Sequence, residues 1–151
     1  MEHINRAYSL LESMVGKIRL RSSVYISPPW GFEADQDFYN TVIELETILD
    51  PHALLIALKA IEVKMGRVKT KATGYESRII DLDIIDFDKQ VLIGDNLQLP
   101  HPHLHRRGFV LWPLQEICPQ WAHPVSGKKI DALVHALEPA ETPDKLKDTN
   151  I

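Results

Sequence analysis

Residues 78–86, RIIDLDIID, constrain the chain more than any other stretch. The stretch alternates and is rich in isoleucine, so it reads as a β-strand. Successive side chains on a strand point to opposite faces. Ile80, Leu82 and Ile84 then share a face that belongs in a core, and Asp81 and Asp83 share the other. Two residues of rise separate the two aspartate Cα atoms by about 6.5 Å. Carboxylates that close repel each other unless something positive lies between them. Mg²⁺ is a hard cation that one or two carboxylates hold together with substrate phosphates, and two ions about 3.5–4 Å apart would suit the spacing. A solvated strand face is the other reading of the same pattern.

The elements around this stretch define an α+β chain. Ile4, Tyr8, Leu11 and Val15 recur at helical spacing from the start, with Gly16 as the expected C-cap. Alternation over residues 18–26 reads as a half-buried strand, and residues 38–47 as its antiparallel return. Asp50-Pro51 opens a helix whose apolar stripe is Leu54, Leu55, Leu58, Ile61 and Met65, closed by Gly66. After residues 78–86 come a turn at Asp88-Lys89 and a short strand at residues 91–93. A proline-broken loop, LPHPH, then leads to apolar helical segments at residues 109–117 and 130–137. Pro113 is expected within a first helical turn, where it is tolerated. Residues 1–138 read as one domain and residues 139–151 as a polar, frayed tail. The order is helix, two strands, helix, two strands, helices, which is an α+β arrangement of segregated antiparallel pairs. One strand ahead of the first helix would complete the ferredoxin-like order βαββαβ.

Bulk properties exclude several classes. With 151 residues the chain can bury a real core. A net charge of −4 argues against a general nucleic-acid binder. The single Cys118 excludes an internal disulfide. No signal peptide or membrane-spanning run is present, so a soluble cytoplasmic protein is expected.

Against the acidic average, Lys64, Arg67, Lys69, Lys71 and Arg78 fall within 15 residues that hold one acid, Glu76. Residues 69–74 have neither apolar period and read as a mobile loop. Such a loop beside a carboxylate pair suits a nucleotide polyphosphate, whose transfer depends on positioning and charge neutralisation. Arginine forks match phosphate oxygens bidentately. A solvated basic loop would look the same. No GxxxxGK[ST] run is present, which excludes a P-loop enzyme. His101, His103 and His105 alternate like zinc ligands, but Pro102 and the lack of a second ligand set argue against zinc. His101 with Arg107 suits phosphate contact instead. His123 and His135 read as structural or surface residues. Ser27-Pro28-Pro29-Trp30 and Phe38-Tyr39-Asn40 end paired strands and could sandwich a flat heterocycle, or could be ordinary packing.

Several runs together carry a resemblance. YISPPWGFEADQDFYNTVIELET at residues 25–47, GRV at 66–68, SRIIDLDI at 77–84 and LPHPHLHRRGFVLWPL at 99–114 closely resemble the 6-hydroxymethyl-7,8-dihydropterin pyrophosphokinases of folate biosynthesis. The pattern R-x-x-D-L-D-I followed by P-H-x(5)-R-G-F-x-L-x-P-L is highly specific, and the likeness extends to about Ile117. The resemblance implies Mg²⁺-dependent transfer of the β,γ-diphosphate of ATP to the pterin hydroxymethyl oxygen, leaving AMP. It implies Asp81 and Asp83 as ligands of two Mg²⁺ ions, and Arg67 and Arg78 as catalytic arginines closing on the triphosphate. Glu62, Lys69, Ile84, His101 and Arg107 correspond to ATP-binding positions. Ser27, Pro28, Trp30, Phe38, Asn40, Tyr75 and Phe109 correspond to the pterin pocket. Tyr75 stands where the family often has Trp, Phe38 where it often has Tyr, and Lys69 replaces an arginine. No general base stands out for the hydroxyl. Family members begin with a strand and a G-S-N loop ahead of the first helix, and neither is present here. The resemblance therefore implies a missing central strand, and with it a marginal fold or a dimer paired through the open sheet edge. A nucleotide- or pterin-binding module without turnover and a plain α+β interaction domain are the alternative classes.

Overall fold

The computed structural model describes residues 1–27, 37–66, 68–69, 76–77 and 79–147. The fold is α+β. Helix α1, Glu2–Met14, buries Ile4, Ala7 and Leu11 along one stripe, as its spacing requires. Gly16 does not cap it. Val15 is the cap residue, and Gly16 opens strand β1, Gly16–Arg21. Here glycine is needed for close approach, because a Cβ would lie 2.0 Å from the Glu46 carbonyl oxygen of the facing strand.

Strand β2 is Tyr25–Ser27, β3 is Phe38–Asn40 and β4 is Ile43–Thr47. The expected antiparallel pair is present but divided. β1 pairs with β4, placing Ile18 opposite Leu45, with an irregularity between Ile18 and Leu20. β2 pairs with β3, placing Tyr25 opposite Asn40 and Ser27 opposite Phe38. The break falls at Ser22 and Thr41. The Ser22 hydroxyl accepts the Val42 N–H at 2.9 Å, and the Thr41 hydroxyl donates to the Ser22 carbonyl at 3.4 Å. These side chains take over partners that a ladder would otherwise use.

Helix α2, Pro51–Lys64, starts as expected, with Asp50 accepting the Ala53 N–H at 2.8 Å. Two short ladders follow. β5, Val68–Lys69, pairs with β6, Glu76–Ser77; residues 70–74 of the stretch read as a mobile loop lie outside the described residues. β7, Leu92–Ile93, pairs with β8, Gln98–Leu99, after a turn in which Asp88 and Lys89 both adopt positive φ. Helix α3 is Gly108–Ile117 and α4 is Ile130–His135. Pro113 lies in the interior of α3 rather than its first turn, and removes the N–H that would reach the Phe109 carbonyl.

The stretch at residues 78–86, read as a strand, differs most from expectation. Residues 80–86 are in no ladder among the described residues, and the described strands form four small antiparallel sheets. The alternation nevertheless holds: Ile80, Leu82 and Ile84 are half-buried, while Asp81 and Asp83 are exposed. Ile80, Leu82 and Ile84 pack on a core formed by α1, β1 and α2, including Leu11, Ile18, Leu58 and Ile61. Ile85 packs on a second core, formed by Leu104, Leu111, Leu114, Trp121 and Ile130. A fully buried aliphatic side chain contributes about 1.5–3 kcal/mol; Ile80, Leu82, Ile84 and Ile85 are half-buried and contribute part of that each, holding the stretch against two cores by packing.

The reading of the tail as frayed fails for residues 139–147. Strand β9, Asp144–Lys145, adds to the free edge of β2, and Leu146 N–H donates to the Val24 carbonyl at 2.9 Å. The Glu141 carbonyl sits so close to Gly108 that a Cβ there would be 1.5 Å from it.

His123 is structural, as its isolation in the sequence suggests. Its Nδ1 accepts N–H groups from Val125 and Ser126 at 3.2 and 3.1 Å. Burial pushes its pKa below 6.5, His105 adds to the depression and Asp86 opposes it. A depressed histidine contributes stability that is present above its unfolded pKa and lost as pH falls through the folded one. Thermal melts from pH 8 to 5 should therefore show Tm falling below about pH 6.5, and the fall should be smaller in His123→Asn.

Candidate active site

Glu62 fixes the acidic stretch. It lies on the inner face of α2 with its side chain 1% exposed, and its Oε1 accepts the Leu82 N–H at 2.8 Å. Its Oε2 is 3.4 Å from Lys59 Nζ. A side-chain carboxylate therefore takes the backbone donor midway between Asp81 and Asp83. On the other side, the His101 N–H donates to the Ile85 carbonyl at 2.9 Å. Those two bonds and the flanking cores keep both aspartates on one exposed edge. Among the described residues no group of three or more His, Cys, Asp or Glu forms a metal-ligand cluster. Two exposed carboxylates fit a hard cation whose remaining oxygens come from phosphate and water.

His101 stands beside this edge and is half-buried. Burial lowers its pKa; the Asp83 charge works the other way, while Arg107 and His103 reinforce the depression. Burial disfavours the charged ring, and its Nδ1 accepts the His103 N–H at 3.2 Å, which leaves Nε2 to carry the proton. Arg107 precedes α3 and lies over the Phe109 ring at 5.6 Å, joining an expected nucleotide residue to an expected pterin residue. Ile84 points into the first core.

The ends of β2 and β3 form a second wall. Asn40 Nδ2 donates to Ser27 Oγ at 3.0 Å and also meets the Phe38 carbonyl at 3.4 Å. Phe38 is 49% exposed, an aromatic face available to a ligand. Pro28, Trp30, Arg67, Tyr75 and Arg78 lie outside the described residues, and Lys69 is described in backbone only. A groove of about 280 Å³ elsewhere is lined by the start of α1, residues 21–24 and Leu146, and contains none of the expected site residues.

One structural participant was missed in the sequence. Glu116, in the last turn of α3, accepts hydrogen bonds from the Ser23 N–H and hydroxyl and from the Tyr25 hydroxyl. No local pattern marks it, because all its partners are distant in sequence.

The model of the 7,8-dihydro-6-hydroxymethylpterin-pyrophosphokinase family matches residues 1–119. The 2-amino-4-hydroxy-6-hydroxymethyldihydropteridine pyrophosphokinase of Porphyromonas gingivalis is 36% identical over 123 residues, covering 80% of this chain and 83% of the relative. The enzyme of that name from Pseudomonas aeruginosa is 41% identical over 115 residues, covering 76% and 69%. A folic acid synthesis protein of Dictyostelium discoideum is 41% identical over 107 residues, 71% of this chain. The chain spans 16% of the length of that protein and 15% of its Pneumocystis carinii counterpart. This chain belongs to the 7,8-dihydro-6-hydroxymethylpterin-pyrophosphokinase family.

The Glu62 tether can be tested directly. Glu62→Ala leaves the Leu82 N–H without its acceptor, a loss of about 1–3 kcal/mol and a Tm drop of roughly 3–10 °C in a chain this size. Glu62→Gln retains a carbonyl oxygen for that N–H and should lose less than half as much in the same melts.

Proposed function

We propose that this protein transfers the β,γ-diphosphate of ATP to the hydroxymethyl oxygen of 6-hydroxymethyl-7,8-dihydropterin in folate biosynthesis. The observation that carries the reading is the placement of Asp83 beside His101, with Asp81 on the same edge, in a chain of this family. In the reaction the hydroxyl oxygen forms a bond to the β-phosphorus. The bond from that phosphorus to the α,β-bridging oxygen breaks, AMP leaves with the electron pair, and the hydroxyl proton passes to solvent.

Asp81 and Asp83 would hold Mg²⁺, which supplies charge neutralisation on the phosphate oxygens. His101 Nε2 and Arg107 are donors for the nucleotide phosphates. Ser27, Asn40, Phe38 and Phe109 orient the pterin, with Pro28, Trp30 and Tyr75 completing the pocket by family correspondence. Arg67, Lys69 and Arg78 bring positive charge to the triphosphate. With the reactants aligned and their charge neutralised, orientation itself carries much of the barrier reduction, and no side chain of this site is assigned as a strong base.

An AMP-release assay with ATP, Mg²⁺ and the pterin tests the reading, and no pterin-dependent AMP would overturn it. Asp83→Ala, and likewise Asp81→Ala, should abolish transfer with the melting curve essentially unchanged. Full activity of either variant at saturating Mg²⁺ would remove the metal assignment. Arg78→Ala should lower kcat more than it raises the KM for ATP, since its charge is wanted most in the transition state. Unchanged kcat with only a raised KM would contradict that role.

A further inference from the structure

The proposed pterin pocket is assembled from two separate elements. Ser27 ends β2 and, through the β2–β3 ladder, carries Asn40 and Phe38 with it. Phe109 belongs to the first turn of α3. Binding between two such walls depends on what holds them in register.

Glu116 is the polar link between them. Its Oε1 accepts the Ser23 N–H at 3.1 Å and the Ser23 hydroxyl at 2.8 Å, and its Oε2 accepts the Tyr25 hydroxyl at 2.8 Å. Lys145 of β9 brings its Nζ to 3.6 Å from Oε1. One carboxylate thus joins α3, the segment leading into β2, and the C-terminal strand on the other edge of β2. The electrostatics agree with the geometry. Burial, hydrogen bonding to Glu116 and the Glu116 charge together raise the Tyr25 pKa to about 12. Burial alone would raise the Glu116 pKa, but the bonds from Ser23 and Tyr25 and the Lys145 charge bring it below the ordinary value. The clamp closes at the opposite end of α3 as well, where the Glu141 carbonyl lies against Gly108, between Arg107 and Phe109. Both Glu141 and Lys145 lie beyond the family-matched residues 1–119.

We propose that Glu116 is a positioning residue that fixes the helix carrying Phe109 against the strand carrying Ser27, and so sets the geometry of the pterin pocket. It touches no substrate and acts through Ser23 and Tyr25. This rests on the pocket assignment in the proposed function.

Steady-state kinetics of the full chain test it. Glu116→Ala should raise the KM for the pterin about tenfold, the cost of losing one to two such bonds, with kcat and the KM for ATP within about twofold of the parent. Glu116→Gln retains an acceptor for Ser23 and an amide for the Tyr25 hydroxyl, and should restore most of the pterin affinity. Tyr25→Phe, which preserves packing, should raise the pterin KM by a smaller factor and add nothing when combined with Glu116→Ala. A pterin KM unchanged in Glu116→Ala and Tyr25→Phe, or raised equally with that for ATP, overturns the inference while the parent still turns over. A parent that releases no pterin-dependent AMP overturns the proposed function and this inference with it.

Discussion

The bond from the Leu82 N–H to the Glu62 carboxylate holds the acidic stretch of the candidate site against α2. Residues 80–86 pass between two hydrophobic cores, in no ladder among the described residues. Packing alone orders side chains but leaves backbone donors to be satisfied, and a buried donor without a partner is costly. Glu62 supplies the acceptor from a neighbouring helix, and Ile85 receives the His101 N–H from the following loop. The acidic pair thereby keeps its orientation without a sheet on that edge.

The tether also explains why charge can be concentrated at the edge. Glu62 is buried, and Lys59 stands beside it. Asp81 and Asp83 remain exposed, where water screens their repulsion. His101, whose charged form burial disfavours, stands next to Asp83. Arg107 places its guanidinium over the Phe109 ring, so a residue proposed for the nucleotide touches one proposed for the pterin.

The C-terminal residues belong to this arrangement. β9 extends the small sheet that ends at Ser27, and the Glu141 carbonyl requires glycine at 108. β2 therefore has partners on both edges, β3 on one and β9 on the other. A three-residue strand with a single partner is weakly supported; β2 has a partner on each edge, and Glu116 accepts hydrogen bonds from Ser23 and Tyr25 beside it.

Periodicity and turn chemistry in the sequence by themselves determined α1 and α2, the Asp50 cap, the turn at Asp88-Lys89, and the alternation of residues 80–84. They did so because each depends on neighbours within a few residues. The R-x-x-D-L-D-I and P-H-x(5)-R-G-F patterns likewise pointed to the family. Tertiary structure decided what local signals cannot carry. Gly16 serves close strand approach rather than a cap, because its constraint comes from Glu46 across the sheet. The long hairpin divides at Ser22 because that hydroxyl competes for a ladder donor 20 residues away. Glu62 proved to hold the backbone of the acidic stretch, and Glu116 to join helix, strand and tail. A carboxylate's role is set by which donors the fold brings within about 3 Å, and for both residues those donors come from distant parts of the chain.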